Sequence, residues 1–158
     1  MPTNLKPGDV APDFDLPSDS GERVRLRDLR GKRVVLYFYP KDDTPGCTTE
    51  ACSFRDAWTE IQKRGIVVLG VSKDSPRSHV RFKEKYSLPF TLLSDEDHAV
   101  ADAYGVWGPK TFMGRQYEGM DRATFLIGPD GRIEAVWPKV KPEGHAEEVL
   151  AAVEERAG

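Results

Sequence analysis

Two cysteines, Cys47 and Cys52, lie five positions apart in the segment YFYPKDDTPGCTTEACSFRD, residues 37–56, and they are the only thiols of the chain. A pair this close suits redox chemistry: one thiolate is oxidised and its neighbour condenses with the product to give a disulfide. The competing reading is two ordinary buried thiols that pack as small hydrophobes. The spacing departs from Cys-x-x-Cys, the usual arrangement in thiol–disulfide oxidoreductases. A redox sensor or partner-binding module would use the same pair without turnover. Two cysteines and three scattered histidines, His79, His98 and His145, do not reproduce a zinc-ligand spacing. Flanked by charged residues, those histidines read as solvated helix positions.

Position gives Cys47 its special standing. Thr44 suits a helix N-cap and Pro45 the first helical position, so Cys47 falls at the third. Helix N-termini favour negative charge, and a thiol placed there ionises more readily. A thiol with a pKa of ~8.5 is only ~3% thiolate at pH 7. Lowering that value to ~6 gains about 30-fold in thiolate but loses about 10- to 20-fold in nucleophilicity, at a Brønsted slope of ~0.4–0.5. Availability therefore improves more than speed. A fast reaction also needs donors for the charge that develops on a leaving oxygen.

The elements that must hold this segment follow from pattern. RVVLYFY at 33–39 and IVVLGVS at 66–72 are runs of β-branched and aromatic residues, as expected for strands covered on both faces. Between them Ala51, Phe54, Trp58 and Ile61 form one helical stripe, with Gly65 at the C-terminal cap. Strand, helix and strand make a βαβ unit with a parallel pair. Short strands at 12–16 and 24–26 flank PSDSGE and read as an opening hairpin. Ser75-Pro76 opens a helix to about Tyr86, a short strand follows at 90–93, and Asp95 caps a short helix through Tyr104, stopped by Gly105. Strands at 123–127 and 132–137 pair across GPDG, and Ala146, Val149, Leu150 and Val153 mark a last amphipathic helix. The expected fold is α/β: a central mixed sheet flanked by helices, with an N-terminal β-hairpin, in one domain over residues 1–158.

Composition narrows the class. The chain has 158 residues, 39% hydrophobic and 31% charged, enough for a core without staples. A formal net charge of −3 with both signs interleaved gives no nucleic-acid surface and no polybasic membrane patch. The longest apolar runs, 34–39 and 66–71, fall far short of the ~20 residues that span a bilayer. MPTNLKPGDVAPDF lacks the basic and apolar parts of a secretory signal, so the expected location is cytoplasmic.

Pro40-x-x-x-Thr44-x-x-Cys47 resembles the active-site signature of peroxiredoxins. Cys52 within PGCTTEAC, together with APDFDL, LLSDEDHAVADAYGVW and RATFLIGPDGRI, is similar to the bacterioferritin-comigratory-protein or PrxQ subgroup over most of the chain. The resemblance implies a thioredoxin-like fold and an antioxidant, thiol-dependent peroxidase that reduces hydrogen peroxide and organic hydroperoxides to water and alcohols. It implies that Cys47 attacks the peroxide and becomes a sulfenic acid. Thr44 Oγ1 hydrogen-bonds the sulfur and the peroxide, and Pro40 shields the pocket. Arg122 stabilises the thiolate and orients the peroxide, consistent with a guanidinium being a permanent cation with fixed donors. Cys52 resolves the sulfenic acid as an intramolecular disulfide, and thioredoxin, or a glutaredoxin, regenerates the dithiol. No haem, flavin or metal motif is present, so no cofactor is expected, and the subgroup implies a monomer.

Other positions keep two readings. Glu50 belongs to the site's network or is a first-turn acid favoured by the helix dipole. Phe38 and Tyr39 line the pocket or pack the strand. Trp107 reads as packing more than as a substrate contact, and Lys41, Asp42 and Asp43 read as solvated loop residues.

Overall fold

The computed structural model describes residues 3–157; the two residues before them, part of the N-terminal stretch read above, and the last residue lie outside it. Strand β1 (Asp15–Pro17) pairs antiparallel with β2 (Arg23–Arg25), the opening hairpin. A short 3-10 turn, Leu26–Leu29, leads to β3 (Arg33–Phe38). Helices α1 (Pro45–Asp56) and α2 (Trp58–Lys63) precede β4 (Ile66–Ser72). Then come α3 (Pro76–Tyr86), β5 (Thr91–Ser94) and α4 (Ala99–Ala103). The chain continues with β6 (Trp107–Phe112), β7 (Arg115–Met120), β8 (Ala123–Ile127), β9 (Ile133–Trp137) and α5 (His145–Ala157).

The main sheet has the order β5-β4-β3-β8-β9. β3 runs parallel to β4 and antiparallel to β8, so the sheet is mixed, as expected. The alternation of β3 divides two cores. Val34, Leu36 and Phe38 point into one with Tyr104, Phe125 and Ile127. Val35, Tyr37 and Tyr39 point into the other with Ala51, Phe54, Phe82, Leu126 and Val149. A strand apolar on both faces is stable only where both are covered, and here α1, α3 and α5 cover the second face. Cys47 belongs to that second core.

Three readings change. The single helix expected between β3 and β4 is broken at Ala57, whose φ of −93° and ψ of 6° leave the α-helical region. The cap of α4 is His98 in the left-handed region, with Asp95 reaching in from further upstream: its carboxylate accepts from the N–H groups of Val100 and Ala101 at 3.2 and 2.7 Å. The β6–β7 hairpin was not expected at all. It turns on Met113 and Gly114, both at positive φ, the geometry of a tight two-residue hairpin. Pro109 within the first strand and the lack of a buried face concealed it: Phe112 is 66% exposed and Met113 87%.

Two expectations of solvated residues are also wrong. His79 and His145 are fully buried, and of the three histidines only His98 reaches solvent. His79 shares the spacing of Phe82 and Tyr86, the inward stripe of α3, and its ring nitrogens find buried partners. His145 opens α5 against Phe54 and Trp137, with Nε2 2.8 Å from Thr124 Oγ1; burial holds its pKa below the ordinary value. Asp42 is buried, because it is the partner of His79. Lys41 and Asp43 are exposed, as expected.

Candidate active site

The site forms where β3 stops and α1 begins. β3 delivers the chain to Tyr39 and Pro40 at the edge of the second core. Thr44 takes the extended N-cap conformation, φ −98° and ψ 156°, and its carbonyl accepts the first helical bond from Thr48 N–H at 2.8 Å. Pro45 occupies the first helical position, where its missing N–H costs nothing. Cys47 follows at the third and is 1% exposed. The buried face of α1 is Cys47, Glu50, Ala51 and Phe54, the i, i+3, i+4, i+7 stripe that seats the helix on the sheet.

Arg122 reaches this helix from just before β8, 75 positions away in sequence. Its Nη2 donates to Cys47 Sγ at 3.4 Å and its Nη1 donates to Glu50 Oε1 at 2.8 Å. One guanidinium thus spans the sulfur and a carboxylate one helical turn apart. The network reading of Glu50 is the one the geometry favours. Glu50 is fully buried, and its Oε2 has no hydrogen-bond partner among the described residues. Burial pushes its pKa up to about 7, against the pull of Arg122. Burial lowers the pKa of Arg122, but the Cys47 sulfur and the Glu50 carboxylate together leave it raised, so the guanidinium stays charged.

The carboxyl of Glu50 therefore keeps its proton in the fold over a range where the unfolded chain has lost it. A group whose folded pKa is raised binds more protons folded than unfolded, so stability falls as pH rises between the two values. The wild type is expected to lose on the order of 3 kcal/mol relative to Glu50→Gln between pH 4.5 and 7, and nothing further above that. Urea unfolding of both proteins across this window measures the difference.

Gly46 sets how closely Arg122 can approach. A Cβ there would sit 2.9 Å from Arg122 Nη2 and 3.5 Å from Pro142 Cγ. The guanidinium, the flexible far end of a long side chain, would have to give way. Gly46→Ala is accordingly expected to fold but to react with peroxide about 10- to 100-fold more slowly, since small displacements of a positioned group cost that much. Stopped-flow oxidation of the variant checks this; an unchanged rate would show that Arg122 has room to spare.

The remaining residues divide. The Thr44 hydroxyl donates to Lys41 O at 2.9 Å, so its proton is committed and toward the site it can only accept. No hydrogen bond joins it to Cys47 among the described residues. Pro40 is exposed at the exit of β3. Phe38 faces the opposite core and packs the strand. Trp107 stacks on His98 at 4.2 Å and lies against the first core, in keeping with packing. Cys52 is half-buried and borders an open cleft of about 470 Å³ between α1 and the start of α5, with Thr48, Asp56, Glu143 and Glu147 around it. Both sulfurs are free thiols. Sequence reasoning missed Gly46 and the buried Asp42–His79 pair. The helical spacing of His79 with Phe82 was the one available signal for the latter.

The chain is similar to known proteins over nearly its whole length. The AhpC/TSA family model matches residues 7–136. A protein of Coxiella burnetii is 58% identical over 147 residues, covering 93% of this chain and 97% of its own. Peroxiredoxin Bcp of Escherichia coli strain K12 is 52% identical over 153 residues, covering 97% and 98%. A solved structure of the Xanthomonas campestris bacterioferritin comigratory protein, studied for alkyl peroxide reduction, superposes with a TM-score of 0.89 at 41% identity, covering 99% of both chains.

Proposed function

This chain belongs to the AhpC/TSA family, among its Bcp peroxiredoxins with their thioredoxin-like fold, and we propose that it performs thiol-dependent peroxide reduction with Cys47 as nucleophile and Cys52 as resolving thiol. The observation that carries the assignment is Arg122 bridging Cys47 Sγ and Glu50 at the start of α1. The Cys47 thiolate attacks one peroxide oxygen and the O–O bond breaks. The second oxygen leaves with the electron pair, takes a proton and departs as water or an alcohol. Arg122 faces the charge that develops on that oxygen, the largest demand of such a step. Thr44, its own proton committed, accepts from the peroxide O–H. Pro40, at the mouth of the site, restricts water.

The sulfenic acid on Cys47 then condenses with the Cys52 thiol, releasing water and leaving a disulfide. Both cysteines lie in the unbroken helix α1. Residues five apart on a helix are about 8–9 Å apart at Cα and ~140° apart around the axis, whereas a disulfide needs less than about 7 Å. Oxidation is therefore expected to unwind residues 46–53. Hydrogen exchange should show their amides losing protection in the oxidised protein; a Cys47–Cys52 bond with α1 fully protected would sink this step.

An external dithiol then reduces the disulfide. Thioredoxin is the proposed reductant, with glutaredoxin the alternative that the assay separates. A resolving thiol within the chain removes any chemical need for a second subunit, which supports a monomer. Among the described residues no helix is long and apolar enough to cross a membrane. Two isolated thiols fit a reducing compartment better than a disulfide framework, which supports the cytoplasm. Peroxide consumption coupled to a thioredoxin system tests the reading: sustained turnover is expected, and none with either reductant would overturn it.

A further inference from the structure

The turn that carries the chain from β3 to Cys47 is fastened to α3 by two carboxylates. Asp42 Oδ1 accepts from Tyr39 O–H at 2.5 Å, and Oδ2 accepts from Ser78 O–H at 2.8 Å and contacts His79 Nδ1 at 2.8 Å. The Asp42 N–H donates to Asp74 Oδ2 at 2.8 Å, and Ser72 O–H holds that same oxygen at 2.7 Å. Asp43 follows in the left-handed region, φ 57°, and accepts from Lys85 Nζ and Tyr86 O–H at 2.8 and 2.7 Å. None of these partners lies on α1. The turn is tied to α3 and to the segment that follows β4, and not to α1.

The His79 ring decides the charge of this fastening. Its Nε2 lies 2.9 Å from the carbonyl oxygen of Leu93, which can only accept. Its Nδ1 faces a carboxylate, which when ionised can also only accept. A neutral ring carries one N–H and cannot serve both. The contact between Nδ1 and Asp42 Oδ2 therefore holds a second proton, and the two side chains form a charge-neutral pair. Asp42 and Tyr39 are the titratable groups facing the ring, and Asp74 is one hydrogen bond beyond. His79 is fully buried and among the described residues makes no hydrogen bond to Cys47, Thr44 or Arg122; its link to the 40–44 turn is the bond to Asp42.

We infer that Asp42 and His79 are positioning residues: their proton-sharing pair fixes the 40–44 turn, and through it the seat of Thr44 and Cys47. The inference rests on Cys47 being the peroxide-reacting thiol.

Three variants separate positioning from plain stability. His79→Gln keeps a donor for the Leu93 carbonyl and loses the one toward Asp42. His79→Asn keeps a donor near the Nδ1 position, and Asp42→Asn removes the acceptor charge. Stopped-flow oxidation of Cys47 by hydrogen peroxide is expected to slow at least ~10-fold in His79→Gln and Asp42→Asn, with much of the rate recovered in His79→Asn. Ile133→Ala, which thins the core on the other face of the sheet, supplies a comparably destabilised protein that should react at the wild-type rate. Nitrogen NMR of the wild-type ring at pH 7 should show protons on both Nδ1 and Nε2, or one shared with Asp42. That readout does not depend on activity and holds if a variant fails to fold. A ring bearing a single proton on Nε2 beside an ionised Asp42 carboxylate, read from the carboxyl carbon shift, overturns the inference. So does a His79→Gln rate equal to that of Ile133→Ala, while an unreactive wild type would instead overturn the peroxidase reading beneath it.

Discussion

Cys47→Ser is expected to abolish peroxide turnover, a loss of roughly four orders of magnitude or more, the scale that follows when an enzyme loses its nucleophile. The substitution is nearly isosteric at a position that is 1% exposed in a helix stripe, so the fold should survive. A serine hydroxyl does not ionise near neutral pH, and Arg122 cannot turn it into an attacking anion. Cys52→Ser should separate the two halves of the cycle. It leaves the Cys47–Arg122–Glu50 constellation intact, so each chain should consume one peroxide and then stall as the sulfenic acid. Rapid-quench measurement of peroxide consumed per chain distinguishes these cases. Stoichiometric consumption by Cys47→Ser together with none by Cys52→Ser would reverse the roles.

Arg122→Met should have the next largest effect, slowing Cys47 oxidation by about 10²- to 10³-fold, the usual consequence of removing a donor aimed at developing negative charge. Methionine preserves much of the stem that packs at the half-buried position, so the loss would report the guanidinium. Arg122→Lys should recover only part of the rate. An ammonium restores the charge, but it cannot hold the sulfur at 3.4 Å and the carboxylate at 2.8 Å with two nitrogens of one rigid plane. Removing Arg122 also strips Glu50 of its cation. The carboxyl is then expected to hold its proton to higher pH, which would extend the loss of stability described above past pH 7. Second-order rate constants from stopped-flow tryptophan fluorescence, with urea midpoints at pH 5 and pH 8, test both parts. A rate within about tenfold of wild type would remove the guanidinium from the rate-setting step.

The chemistry of Cys47 was legible because local signals agreed. Thr44 and Pro45 mark a helix start, the apolar runs on either side mark buried strands, and the spacing of Ala51 and Phe54 fixes which face of α1 turns inward. Arg122 and Thr44 entered through a resemblance, since no local pattern ties a residue before β8 to a helix 75 positions upstream. Three features escaped. Asp42 looked like one of a run of solvated charges, and only the tertiary partner on α3 makes its burial affordable. Gly46 passed as a helix-start residue, whereas its lack of a side chain is what admits the guanidinium. The β6–β7 hairpin has no buried face, so the alternation that reveals a strand was missing. In each case the deciding contact is long-range or the signal is an absent atom, and neither leaves a periodicity to read.

The break at Ala57 would limit how far the proposed unwinding can spread in each cycle. Helical order is cooperative along an unbroken run of hydrogen bonds, and an opening that starts near Cys47 would otherwise spread toward β4. Here the run ends after Asp56, and α2 begins afresh with Ile61 anchored in the core. The chain can melt one short segment and keep the next as a fixed post from which it re-forms. On the proposed cycle at most the twelve residues of α1, not the whole connection between two central strands, would have to refold before the next peroxide is met.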